Sequence, residues 1–220
     1  VQIHPLHNWQ LSPAQAVRIQ QLLARDVIDS TPLDLNAIRT VAGVDVSVKN
    51  NVSQAAVVVL RLPTFEVLEI VRAQRPTTFP YITGLLSFRE GPVLEDAFTR
   101  LQTEPDVLLF DGLGRIHPRR IGIAAHMGLW LDRPTIGIGK THLLGTYDAV
   151  PETRGGYALL HDRGEVLGAV LRTRERVKPV YVSVGHRADL DSALALVMAC
   201  TTRYRLPEPI RAAHNAAGQF

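Results

Sequence analysis

Three apolar runs crowd together near the start of the chain: VAGVDVSV at 41–48, AAVVVLRL at 55–62 and FEVLEIVRA at 65–73. Only KNNVSQ and a Pro-Thr pair separate them. Links this short return a strand beside its predecessor, whereas a parallel neighbour needs a crossover of roughly a dozen residues or more. The runs therefore predict a three-stranded antiparallel meander.

Beyond the meander, helical and strand patterns alternate. Gly91-Pro92 reads as a helix start, with Val93, Leu94, Ala97, Phe98 and Leu101 on one face. A short strand over 106–110 follows, then a helix over 119–131 and the buried strand PTIGIGK at 134–140. YALLHD, EVLGAVLRT and VYVSV add strands before a long helix over 189–204, and PEPIRAAHN opens a terminal one. Near the N-terminus, Ser12-Pro13-Ala14-Gln15 combines a cap, a first-turn proline and a capping glutamine. That helix is expected to bury Ala16, Ile19, Leu22, Leu23 and Val27. The expected fold is α/β: a mixed central sheet, antiparallel meander plus strands parallel to the first, flanked by helices on both faces. A length of 220 residues suits a single domain over 1–220.

With 46% apolar and 20% charged residues, disorder is excluded as the default. No apolar stretch approaches the ~20 residues of a membrane span, and VQIHPLHNWQ does not read as a secretory signal. A cytoplasmic protein with no membrane association is expected. The single cysteine, Cys200, sits among apolar residues at helical spacing and reads as core. The net charge of +3 suits a polyanionic partner without requiring one.

Three acids stand out. Asp45 interrupts an apolar strand, where an ionised carboxylate is costly unless paired or metal-bound. An edge strand facing water is the plainer alternative. Asp111 ends the strand VLLFD, at the edge where α/β sheets bind ligands, although Asp-Gly is also a turn signal. If its strand pairs beside the first, the two aspartates face one point. Glu90, read as preceding a helix, either favours that helix's dipole or supplies a third carboxylate. Oxygen ligands from three segments suit a hard divalent ion such as Mg²⁺; zinc would ask for thiolates or a close histidine pair. Paired metals held by such acids hydrolyse phosphodiesters.

The strings GVDVS, PYITGLLSFREGP, DGLGRIHPRRIGIAAHMG, PTIGIGK and KPVYVSVGH, in this order and spacing, closely resemble the endonuclease V family of deoxyinosine-specific repair nucleases. The resemblance runs from about residue 10 to the LPEPIRAAHN tail. It implies a ribonuclease H-like fold and Mg²⁺, with Mn²⁺ as a substitute, on Asp45, Glu90 and Asp111. It also places His117, Lys140 and His214 in the active site, with Lys140 near the scissile phosphate. The implied cut is at the second phosphodiester 3′ to the lesion, leaving 3′-hydroxyl and 5′-phosphate ends.

Pro80, Tyr81 and Ile82 then form a wedge that parts the strands, and Tyr81 offers a face for stacking, worth ~1–3 kcal/mol per base. Gly84 and Leu85 are expected to wall the flipped base, with Gly112 and Ile123 as further walls. His117, Arg119 and Arg120 are expected near phosphates, at the N-terminus of the 119–131 helix. The chain departs from the family at Leu113, usually His or Asn, and at Thr83, commonly Pro. The expected partner is DNA containing deoxyinosine, with inosine-containing RNA as a further one, and the expected state is a monomer. The alternatives are an inosine-binding protein without cleavage, an inosine-specific ribonuclease, and a ribonuclease H or junction resolvase; PYITGLL argues against the last pair, which need no wedge.

Overall fold

The computed structural model describes residues 1–219. The meander is as expected: β1 (Thr40–Lys49), β2 (Val52–Arg61) and β3 (Glu66–Pro76) pair antiparallel in turn. They continue into one eight-stranded sheet with β4 (Val107–Asp111), β5 (Thr135–Gly139), β6 (Tyr157–Asp162), β7 (Glu165–Leu171) and β8 (Val180–His186), in the order β3-β2-β1-β4-β5-β8-β7-β6. Among the described residues, the parallel pairings are β1 with β4 and β4 with β5. The last three strands run antiparallel to their neighbours instead of joining the parallel set. Between β6 and β7 the reason is local: Arg163 and Gly164, both at positive φ, form a two-residue hairpin.

Helices cover both faces. Along β1, Ala42, Val44 and Val46 point to the side packed by α2 (Leu86–Phe98) and α3 (Ile123–Leu131). Val41 belongs to the opposite core, with α4 (Leu190–Ala199) and α5 (Glu208–Ala217). Asp45 shares the parity of Val41, which sends it toward α5. With both faces covered, β1 has no solvent face, and the edge-strand alternative for Asp45 falls. Cys200 is fully buried in the second core, and burial pushes its thiol up to about 12. No helix among the described residues is long and apolar enough to cross a membrane.

Helix ends differ from expectation. α2 begins at Leu86, so Gly91 and Pro92 lie inside it and Glu90 is in its second turn. An internal proline costs about 3 kcal/mol. Full burial of Phe88 repays about 1.5–3 kcal/mol, and Gly91 makes room for the Trp9 ring, which a Cβ there would approach to 2.3 Å. α3 begins at Ile123 rather than 119, because residues 117–122 turn through Arg120 at φ 62°. α1 (Pro13–Leu23) has the expected capping box, but its inner face carries Gln20 while Leu22 is 58% exposed.

Candidate active site

The sheet register decides where the acids go. Val44 pairs with Phe110 on the parallel strand β4, so Asp45 and Asp111 follow side by side on the face that α5 covers. α5 can lie close because position 43 is glycine; a Cβ there would fall 1.8 Å from the Pro209 carbonyl oxygen. The helix sets His214 over Asp45, its Nδ1–H donating to Asp45 Oδ2 at 3.0 Å. Asp45, Asp111 and His214 each offer a ligand atom within 4.8 Å of the others. Asp111 Oδ2 is buried and, among the described residues, accepts no well-formed hydrogen bond; the ammonium of Lys140, one residue past β5, lies against it as an ion pair.

Glu90 stands outside that close trio but faces it. Its residue is half-buried while its carboxyl end is desolvated. That desolvation, followed by the charges of Asp45 and Asp111, raises its pKa to about 8. Asp45 is raised to about 6, first by burial and then by Asp111. Three carboxyls thus converge with less cationic charge than they need. This is the electrostatic condition of a cation site, and oxygen donors suit a hard divalent ion.

A cavity of about 400 Å³ opens directly beside Asp111 and Lys140. Gly84, Gly112, Leu113, Ile123 and the rim residues Tyr81 and Ile82 line it. Tyr81 is 74% exposed, as a wedge at a loop tip would be, and Pro80 is exposed at the stem of the same loop without lining the cavity. Leu85 departs from expectation. It is buried against Ala16, Phe79 and Phe88, and the next residue, Leu86, lines the cavity instead. The helix that starts at Leu86 turns Leu85 inward.

His117 also takes a different place. It is in the cavity wall and not among the carboxylates; its Nδ1 accepts from the Arg119 N–H at 3.1 Å and its Nε2–H donates to the Gly84 carbonyl at 2.9 Å. Burial lowers its pKa to about 4, so it is neutral at physiological pH. The Gly84 carbonyl, on a backbone at φ 83°, also accepts from Gln20 Nε2 at 3.0 Å and Arg119 Nη2 at 2.8 Å. Three donors therefore brace the loop that carries Tyr81. Arg119 is engaged in that brace, and Arg120 is bound to Asp162 and Glu165, each at 2.9 Å. Neither is the free phosphate contact that the sequence suggested. Gln20 and Ser87 went unnoticed in the sequence; a glutamine on the inner face of an amphipathic helix was the available signal for the first.

Fold and site together define a ribonuclease H-like α/β protein with an acidic cluster across its first and fourth strands. The family model described as Endonuclease V matches residues 21–215. The chain belongs to the endonuclease V family and is a nucleic-acid endonuclease. Endonuclease V of Roseiflexus sp. (strain RS-1) is 51% identical over 209 residues, covering 95% of this chain and 93% of that one. The crystal structure of the Bacillus subtilis endonuclease V superposes with a TM-score of 0.95 at 33% identity, covering 99% and 96% of the two chains. The Ciona intestinalis endonuclease V, in complex with a 24mer DNA containing an inosine followed by a ribo-adenosine, gives 0.83 at 28% identity over 94% and 96%.

Proposed function

We propose that this chain is a metal-dependent, single-domain and monomeric repair endonuclease of the cytoplasm. It recognises deoxyinosine in DNA and hydrolyses the second phosphodiester 3′ to it, leaving 3′-hydroxyl and 5′-phosphate ends. The observation that carries this reading is one cavity that joins a space of base size to Asp111 and Lys140. The Ciona relative's inosine-containing DNA supports the same reading.

Asp45, Glu90 and Asp111 hold a divalent ion, magnesium with manganese as a substitute, whose chemistry is to acidify water and offset phosphate charge as a Lewis acid. His214 donates to Asp45 and so fixes which carboxylate lone pairs face inward. Lys140 adds a fixed positive charge where the pentacoordinate phosphate forms. Pro80, Tyr81 and Ile82 fill the gap left by the extruded base, while Gly84, Gly112 and Ile123 wall the pocket. His117, neutral and doubly hydrogen-bonded, braces that pocket rather than exchanging protons.

The test is an end-labelled duplex carrying one deoxyinosine, incubated with Mg²⁺ or chelator. A Mg²⁺-dependent nick one bond beyond the lesion's 3′ neighbour bond is expected. Tight binding without a cut, under Mg²⁺ or Mn²⁺, would leave an inosine-binding protein; a cut confined to inosine-containing RNA would leave a ribonuclease.

The cation site also sets the pH dependence of stability. Asp45 and Glu90 have folded pKa values of about 6 and 8, above their ordinary 3.8 and 4.5. The native state therefore keeps protons that the unfolded chain releases, and metal-free protein loses stability as pH climbs from about 4 to 8. A divalent cation replaces those protons. The rise in Tm on adding Mg²⁺ should thus be larger at pH 8 than at pH 5. An equal or smaller rise at pH 8 would count against a cation at these carboxyls.

A further inference from the structure

Ser87, in the first turn of α2, lines the cavity at 1% exposure, and a chain of hydrogen bonds runs back from it. Its Oγ is 2.9 Å from Nδ1 of the fully buried His126. His126 Nε2 is 2.8 Å from His7 Nε2, and His7 Nδ1 is 2.9 Å from the Asn8 carbonyl oxygen. Both imidazoles are packed among aromatic rings, His7 at 4.6 Å from Trp9 and His126 at 5.2 Å from Phe88 between centroids. Burial lowers the pKa of His7 and takes that of His126 down to about 3, so both are neutral.

The direction of every proton in this chain follows from its outer end. A carbonyl only accepts, so His7 Nδ1 carries the proton and Nε2 the lone pair. His126 Nε2 must then donate to His7, which leaves His126 Nδ1 as an acceptor. Ser87 has one proton and must give it to His126. What its oxygen shows the cavity is lone pairs alone.

We propose that Ser87 Oγ is a specificity-determining acceptor for the ring N–H of a deaminated base, and that His126 and His7 are the positioning residues that hold it in that sense. This rests on the deaminated-base reading of the cavity and deepens it. Deamination of adenine turns N1 from a lone pair into an N–H, so an obligate acceptor meets a donor in hypoxanthine and another lone pair in adenine. Uracil stands in the same relation to cytosine at N3. The recognised feature is the proton that deamination leaves on the ring, and an acceptor turned against a second buried lone pair is left unsatisfied.

The test compares wild type and Ser87→Ala in single-turnover cleavage of duplexes carrying deoxyinosine, deoxynebularine or deoxyadenosine. Nebularine keeps a lone pair at N1 and has no exocyclic group. Ser87→Ala should slow cleavage at deoxyinosine about tenfold while leaving deoxynebularine unchanged or faster. A serine that served only packing would lower both together, and that result overturns the proposal.

His7→Phe keeps Ser87 but removes the acceptor for His126 Nε2–H, so it should shift the inosine-to-nebularine ratio the same way. Nitrogen-15 spectra of the wild-type protein should show His126 as the Nε2–H tautomer; an Nδ1–H tautomer overturns the proposal even if Ser87→Ala does not fold. A wild type that cuts deoxyinosine no faster than deoxyadenosine removes the deoxyinosine reading itself, whichever way the variants behave.

Discussion

Asp111→Asn should cut deoxyinosine DNA about a thousandfold more slowly than wild type and yet, in chelator at pH 8, melt at a higher temperature. The two effects share one cause. Asp111 brings a charge next to Asp45 and Glu90, and that charge helps raise both of their pKa values. Without a cation, its removal relieves repulsion between buried carboxylates. The opposing loss is the ion pair with Lys140, a half-exposed ammonium at 36% against a carboxylate at 10%. Lys140 can turn its ammonium to water once the carboxylate charge is gone, so that loss is smaller than the relief of two buried like-charge contacts. For catalysis the balance reverses, since a neutral amide oxygen binds a hard divalent cation far more weakly than a carboxylate does. Losing about 4 kcal/mol of transition-state stabilisation corresponds to about 10³ in rate. Single-turnover cleavage and melting curves with and without chelator measure both halves. A variant that cuts normally removes Asp111 from the cation site, and one that melts lower in chelator contradicts the electrostatic account.

The aspartates were legible because period-two alternation and strand adjacency are written locally: an acid in the middle of VAGVDVSV and another at the end of VLLFD meet once β1 and β4 pair in parallel. The histidines were legible only through the family resemblance. By its local sequence alone His214 is a surface residue of RAAHN, and its side chain is 60% exposed; the close seat of α5 on β1 brings it to Asp45. His117 sits in a loop that suggested phosphate contact, but burial and the Gly84 carbonyl make it a brace. Gly91-Pro92 reads as a helix start on propensity, and the packing of Phe88 and Trp9 carries the helix five residues further back. That shift moved Glu90 into a helix, replaced Leu85 by Leu86 in the cavity, and brought Ser87 to it. Where a long-range contact outweighs a local preference, a single sequence does not record it.

Gly43→Ala places one methyl group outside the cavity lining and should still disable the enzyme. The added carbon would lie 1.8 Å from the Pro209 carbonyl oxygen and 2.2 Å from its carbon, both backbone atoms in the first turn of α5. No rotamer relieves such a contact, so the helix itself must move away from β1. Overpacking costs about 1–3 kcal/mol where side chains can adjust; the upper end applies here, because Ile210, Ala213 and Ala217 are fully buried and move with the helix. For a chain of this size that is a fall in Tm of roughly 6–12 °C. His214 is carried by the same helix, so its bond to Asp45 lengthens with the shift. Activity at a temperature where the variant is folded should then drop about as far as in His214→Ala, and the double variant should be no slower than either single one, because both break the same contact. Fully additive losses, or wild-type cleavage by a merely less stable Gly43→Ala protein, would show that the seat of α5 on β1 does not set the geometry of the site.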